Sequence, residues 1–243
     1  DWNSVGAGDG FRVLKHPTKN IIYSEMQGAE NVWRSDVANK RVKTIQPLPQ
    51  KGFPKLRFNW NAPMAVSTHQ PDRFYMGSQF LHKSEDMGES WDIISPDLTT
   101  NDPTKQDQSR SGGLSVDNSG DENHTTIFTI AESTLDENIL WIGTDDGNIQ
   151  VTKDGGENWI NVTENLIGIP ANTWVYHIGI LTCSAWRTVC RQHVGIWVHY
   201  GYASCLHMGP LWDTHAGPSA PSPRTLTLTP DPPYILYLAL IPI

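Results

Sequence analysis

Two stretches of this chain spell nearly the same eight-residue phrase, Ser84-Glu85-Asp86-Met87-Gly88-Glu89-Ser90-Trp91 and Thr152-Lys153-Asp154-Gly155-Gly156-Glu157-Asn158-Trp159. Both follow hydroxyl, any, Asp, any, Gly, any, any, Trp, and a constrained phrase that recurs marks a repeated unit. Its chemistry is that of a hairpin turn. Ser84 or Thr152 and Asp86 or Asp154 bond to local backbone, Gly88 or Gly156 permits a positive φ, and Trp91 or Trp159 returns an apolar plate to the sheet. These eight residues are therefore assigned to structure. A catalytic role for Asp86 or Asp154 is the weaker reading, because Asp in a Gly-containing turn usually serves hydrogen bonding.

The likeness extends outward from the octets. Asp136-Glu137-Asn138-Ile139-Leu140-Trp141-Ile142-Gly143-Thr144 precedes the second and Pro71-Asp72-Arg73-Phe74-Tyr75-Met76-Gly77-Ser78 the first, each a polar turn feeding a short β-rich run. An earlier copy, Pro17-Thr18-Lys19-Asn20-Ile21-Ile22-Tyr23-Ser24, leads to Val32-Trp33-Arg34-Ser35-Asp36, keeping Ser and Asp but lacking the Gly and Trp. One more run precedes each: Phe11-Arg12-Val13, Met64-Ala65-Val66 and Phe128-Thr129-Ile130. Four antiparallel strands per unit predict an all-β fold, a partial β-propeller of about three blades near 5–50, 56–98 and 124–165.

Together with His16-Pro17, Arg57-Phe58-Asn59-Trp60-Asn61-Ala62-Pro63, Ile94-Ser95-Pro96-Asp97-Leu98 and Ile130-Ala131-Glu132-Ser133, the octets resemble the Asp-box (BNR) repeat of bacterial β-propeller proteins described as glycosyl hydrolase-like or sortilin N-terminal-domain-like. The resemblance covers residues 1–178 and implies an exported, extracellular or periplasmic protein. Asp-boxes occur in sialidases, xyloglucanase-type glycosidases, sortilin-type receptors and photosystem assembly factors, so they speak for fold more than for activity. In xyloglucanase-type enzymes an Asp follows the first-blade Tyr by four positions, ahead of a Gly. Counted from Tyr23, that position here is Gln27, followed by Gly28, and glutamine cannot be the acid or base of two-carboxylate hydrolysis. Glu25 is a substitute candidate on the same strand face. No arginine cluster with a nucleophilic tyrosine of sialidase type is recognisable.

The reading is a noncatalytic carbohydrate- or protein-binding module, with a glycoside hydrolase fragment as alternative. In a propeller the connections into each first strand form one rim, the default ligand site. The rim candidates are Asp9, Arg57, Asn59, Trp60, Asn61 and His124, whose amides, cations and indole suit a glycan or peptide. The competing reading buries Trp60 between blades and uses Asn59 and Asn61 as turn formers.

Ser95 to Asn123 reads as an inserted exposed loop, and Asp117-Asn118-Ser119-Gly120-Asp121-Glu122 offers oxygen ligands without EF-hand spacing, so a solvated acidic loop outweighs calcium. Eighteen Lys plus Arg against 26 Asp plus Glu, a formal net charge of −8, argue against nucleic acid. No cofactor is expected, and no run of ~20 apolar residues predicts membrane insertion.

Composition breaks at Ile178. From Gly179 to Ile243 there are 3 Arg, no Lys, 2 Asp and no Glu, and all three cysteines (Cys183, Cys190, Cys205) fall there. Zinc held by these with His193, His199 or His207 lacks paired spacing. The lysine-free scatter of Cys, His, Trp and Pro reads as translation out of frame, testable by sequencing around codon 178. Closed propellers use roughly four to eight blades. Three leave edges open, so the expectation is a marginal fragment whose remaining blades lie elsewhere.

Overall fold

In the computed structural model, residues 4–106, 123–165 and 171–180 are described. They form three four-stranded antiparallel sheets, each in simple chain order. The first contains β1 (Val13–Lys15), β2 (Ile21–Glu25), β3 (Val32–Asp36) and β4 (Arg41–Thr44). The second contains β5 (Met64–Val66), β6 (Phe74–Gly77), β7 (Leu81–Ser84) and β8 (Asp92–Ile93). The third contains β9 (Ile127–Glu132), β10 (Leu140–Thr144), β11 (Ile149–Thr152) and β12 (Ile160–Asn161). Sheet follows sheet with β1 against β5 and β5 against β9, an all-β partial propeller of three blades. The sequence expectation of fold class holds.

Second strands lie between two apolar layers and so read as continuous runs instead of alternating ones. Phe74, Tyr75 and Met76 are each buried, as are Leu140, Trp141 and Ile142. Phe74 and Met76 face blade 1 in a layer with Tyr23, Val32 and Ile45, while Tyr75 faces blade 3 with Ile127, Leu140 and Ile142. Period-two side-chain alternation thus splits one strand between two interfaces. Tyr23, Tyr75 and Trp141 occupy the same register, opposite Arg34, Lys83 and Val151.

Both octets close with the same bonds. Ser84 Oγ donates to Asp86 Oδ1 at 2.8 Å and accepts from Gly88 N at 2.7 Å, while Asp86 accepts from Ser90 N and Oγ. Thr152, Asp154, Gly156 and Asn158 repeat the set. Desolvation opposes ionisation of Asp86, but the Ser90 and Ser84 bonds win and hold its carboxyl at about 2; the Asn158 bonds do the same for Asp154. Gly88 and Gly156 have φ of 87° and 110°.

The tryptophan rings return to their own sheet, Trp91 onto Phe74 and His82 and Trp159 onto the layer that holds Leu140 and Ile142, but their indole N–H groups reach the preceding blade. Trp91 Nε1 donates to Ile45 O of blade 1 at 2.7 Å, and Trp159 Nε1 to Ile94 O of blade 2 at 3.0 Å. The glycines have a second reason as well: a Cβ at Gly88 would lie 2.7 Å from Ile45 Cδ1, and one at Gly156 2.5 Å from Ile94 O. Each octet is a clasp onto the preceding blade. The blade 1 copy is built differently. Strand register puts Ser35 at the place of Ser84, so Asp36 falls one position before that of Asp86; Asp36 accepts from Asn39 N and Nδ2, and Ser35 Oγ donates to Val5 O.

Within the stretch expected as an exposed loop, Leu98 is buried at 1% exposure and its N–H donates to Gln79 O. Asp102 caps a single 3-10 turn, Pro103–Lys105. The acidic run at 117–122 and the tail candidates Cys183, Cys190, Cys205, His193, His199 and His207 lie outside the described residues.

His82 on β7 supplies a pH prediction. It is 1% exposed, stacked near Phe58, with Ser78 Oγ 2.8 Å from Nε2 and no partner at Nδ1 among the described residues. Burial pushes its pKa down from 6.5 to about 4. The unfolded chain then takes up a proton that the folded chain refuses, so stability is full above about pH 6.5 and falls as pH drops toward 4. The whole loss is about 3 kcal/mol. Urea unfolding midpoints between pH 7.5 and 4.5 should slope accordingly in the parent, and this part of the slope should vanish in His82→Asn.

Candidate functional site

Simple up-and-down order sorts the connections. The β1–β2 turns and octets lie at one end of the blades, and the β2–β3 turns and blade-to-blade links at the other. The rim candidates all belong to this second end.

Arg57 is buried enough to act as a strap. Its Nη2 donates to Asp97 Oδ2 at 2.8 Å and Thr99 Oγ1 at 3.4 Å, and its Nε to Thr125 O at 3.3 Å. The link into blade 2 is thereby tied to the link out of it. Below it lies Asp145, in the turn between β10 and β11, fully buried as a side chain. Asp145 accepts from Thr126 N at 2.9 Å, Thr126 Oγ1 at 2.6 Å and Asn59 Nδ2 at 3.1 Å. Burial raises its pKa, against the pull of His124 and the Thr126 bonds. His124 Nδ1 stands 3.8 Å from Asp145 Oδ1. Asp146 next door accepts from Thr100 N, Thr100 Oγ1 and Thr144 Oγ1.

Above this base opens a cavity of about 330 Å³ lined by Pro54, Lys55, Leu56, Arg57, Gln106, Asn123 and His124. It offers cations and amides beside Pro54 and Leu56, and among the described residues no carboxylate lines it. Such a surface suits a ligand rich in oxygen acceptors.

The sequence candidates divide. Arg57 and His124 meet at the cavity, and Asn59 is buried beneath it at 7% exposure. Asn61, Trp60 and Asp9 lie toward blade 1 instead. Asn61 Oδ1 accepts from Arg12 Nε at 2.9 Å, the carbonyl of half-buried Trp60 accepts from Gly28 N, and Asp9 N donates to Gln27 Oε1. Lys55, Gln106 and Asp145 were not singled out from sequence. Asp145-Asp146-Gly147 carries a turn signal there, and only three-dimensional placement sets its first Asp under the rim.

Glu25 and Gln27 do not share a strand face, because β2 ends at Glu25 and Gln27 opens a 3-10 turn, Gln27–Ala29. Glu25 Oε1 accepts from Phe11 N at 2.9 Å and Arg12 N at 3.1 Å, while Oε2 is buried with no partner among the described residues. Burial raises this carboxyl, although those two bonds and the Arg12 charge oppose the rise. Arg12 itself reaches across the inner strands, with Nη2 3.1 Å from Phe128 O.

The fold defines a class, the β-propeller-type proteins. No family model matches the chain, and no curated protein matches it. Among solved structures, it is similar to a GH74 enzyme from Niastella koreensis, with TM-score 0.49 and 15% identity over 80% of this chain and 27% of that one. The extracellular domain of a hybrid two-component system from B. thetaiotaomicron gives 0.48 and 15% over 82% and 22%. The GH74 xyloglucanase from Xanthomonas campestris gives 0.39 and 17% over 63% and 22%. The chain thus spans between 22% and 27% of the length of these three structures. The fold assignment rests on the three sheets themselves. Among the described residues no helix is long and apolar enough to cross a membrane.

Proposed function

We propose that this chain is a noncatalytic binding and scaffold module of Asp-box (BNR) type, part of a larger exported propeller, taking a glycan or peptide at the rim between blades 2 and 3. The observation that supports this reading is the cavity lining: Lys55, Arg57, Gln106, Asn123 and His124 carry donors, and no carboxylate faces in among the described residues. Glycoside hydrolysis requires two carboxyl groups flanking the bond. Asp97 and Asp145 stand behind the cavity, consumed by Arg57, Thr126 and Asn59. Asp86 and Asp154 are consumed by the corners.

Glu25 keeps the second reading, a glycoside hydrolase, in view. It is a buried carboxyl with a raised pKa and an unpartnered oxygen, features of a general acid. Its bonded surroundings are Phe11, Arg12 and the Arg12 charge, with no second carboxylate among them.

A glycan and peptide array followed by a chromogenic glycosidase panel separates the two. The expected result is binding without turnover, weakened about tenfold by His124→Ala, the order of one hydrogen bond. Trp60→Ala, outside the cavity, should leave affinity within about twofold. Turnover abolished by Glu25→Gln would replace the binding reading by the hydrolase.

A further inference from the structure

Lys55 and Arg57 line the cavity from a stretch of backbone that one buried side chain brackets. Gln79, 0% exposed, donates from Nε2 to Lys55 O at 2.9 Å and accepts from Arg57 N on Oε1 at 2.8 Å. Leu56, between them, is buried in the layer shared by blades 1 and 2. Both cations are therefore presented by fixed backbone.

The wall that carries His124 is held under strain. Thr125 has a φ of 60° and is 0% exposed, the one β-branched residue in the left-handed region among the described residues. Such a conformation persists only where its surroundings enforce it, and enforced strain gathers at functional sites. Arg57 Nε holds Thr125 O at 3.3 Å, and Asp145 holds Thr126 through N and Oγ1. The residue just before this anchored pair, His124, is thereby set at the cavity.

The charges around the cavity are unevenly matched. Arg57 Nη2 is paired with Asp97, and His124 Nδ1 faces Asp145 at 3.8 Å. Asp102, whose carboxyl also feels His124, is bound by Thr104 N and Oγ1, and Asp146 by Thr100 and Thr144. Lys55 has no acidic partner among the described residues. The amides are oriented too: Gln106 Nε2 donates to Asn101 Oδ1 at 2.8 Å and Asn123 Nδ2 to Phe58 O at 3.0 Å. Gln106 Oε1 is left as an acceptor that a hydroxyl can meet.

We infer that the rim cavity selects a sugar acid, whose carboxylate accepts from Lys55 Nζ together with the Arg57 and His124 nitrogens at the wall, and whose ring hydroxyl donates to Gln106 Oε1. One unmatched cation calls for a monoanion. A phosphate ester, at nearly two negative charges, would leave one of them unmatched. An acidic peptide brings carboxylates but sets no hydroxyl beside them. The volume of about 330 Å³ is near the lower end for ligand pockets, roughly 300–1,000 Å³, so a single acidic sugar unit is the element recognised. The inference rests on the reading of the rim as a ligand site and names the ligand's charge and class.

The test is calorimetric titration of the full chain with three probes: a galacturonic acid trisaccharide, the same trisaccharide as its methyl esters, and a pentapeptide alternating glycine with glutamate. The acid should bind about fivefold more tightly than the ester, the worth of an ion pair at a half-open site, and the peptide about fivefold more weakly than the acid. In about 1 M NaCl, and in Lys55→Gln, the preference for acid over ester should fall below about twofold. Gln106→Leu should weaken acid and ester alike, since both carry the hydroxyl. Lys153→Gln, on the octet between β11 and β12, should keep the preference and so separates a local charge from the general one. Equal affinity for acid and ester, a preference that survives Lys55→Gln, or tighter binding of the peptide would each overturn the inference. Silence with all three probes beside neutral-sugar hits on the array overturns it while the rim reading stands; an array without any hit removes both.

Discussion

Glu132→Ala should lower unfolding free energy by about 3–5 kcal/mol, the cost of stripping a buried acceptor from several donors at once. The Glu132 carboxylate, at the end of β9, is the polar joint between blades 2 and 3. It accepts from Ser67 Oγ at 2.8 Å, Thr68 N at 2.6 Å, Thr68 Oγ1 at 3.0 Å and Tyr75 OH at 3.0 Å. Ser67 and Tyr75 are 2% and 1% exposed, so alanine would leave donors that water does not reach. Glu132→Gln keeps the shape but aims an amide N–H at other donors, and about half the loss should remain. Single domains are stable by only about 5–15 kcal/mol, so the alanine variant removes a large share. Urea denaturation with unchanged m-value is the measurement. A loss under about 1 kcal/mol would mean that the joint is not where the blades are held.

Trp91→Ala should cost about 3–4 kcal/mol, near the lower end for large aromatics because the indole is only half-buried. The ring packs on Phe74 at 5.6 Å and on His82 at 6.4 Å, and Nε1 bonds Ile45 O. Trp91→Phe should isolate the bond, leaving a loss of about 1 kcal/mol plus a small packing term. A second readout distinguishes this clasp from general loosening. Removing Trp91 opens His82 to water, so the imidazole should titrate closer to 6.5 in the alanine variant, visible by NMR. An unmoved His82 with a large stability loss would place the effect elsewhere.

How much could be read beforehand follows from how local each determinant is. The octets were legible because the hydroxyl and carboxylate bonds that close each corner fall within eight residues: Ser84 to Gly88 and Asp86 to Ser90 need no distant partner. Strand order was legible for the same reason, since consecutive apolar runs separated by Asp, Asn and Gly can only fold back on themselves. The destination of Trp91 was not, because Ile45 lies 46 positions away and nothing in its own neighbourhood marks its carbonyl. Blade 1 was aligned by its Ser and Asp, and strand register, which sequence spacing alone does not fix, shifted Asp36 by one.

The rim divided in the same way. Residue types were visible, but Asn59 and Asn61, two positions apart, point to different partners: one down to Asp145, the other to Arg12. Lys55 carried no signal as an isolated cation. Its place at the cavity depends on where the link between blades 1 and 2 crosses the links of the next blade, a long-range property.

Both indole bonds run from a later blade to an earlier one, and this gives assembly a direction. A chain emerging from its N-terminal end would have each carbonyl in place before the tryptophan that seeks it has been made, so every new sheet could latch as soon as its corner is complete. Rearranging the gene so that blade 3 came first would sever that order: Trp159 would emerge with nothing to grip and stay exposed until blade 2 followed.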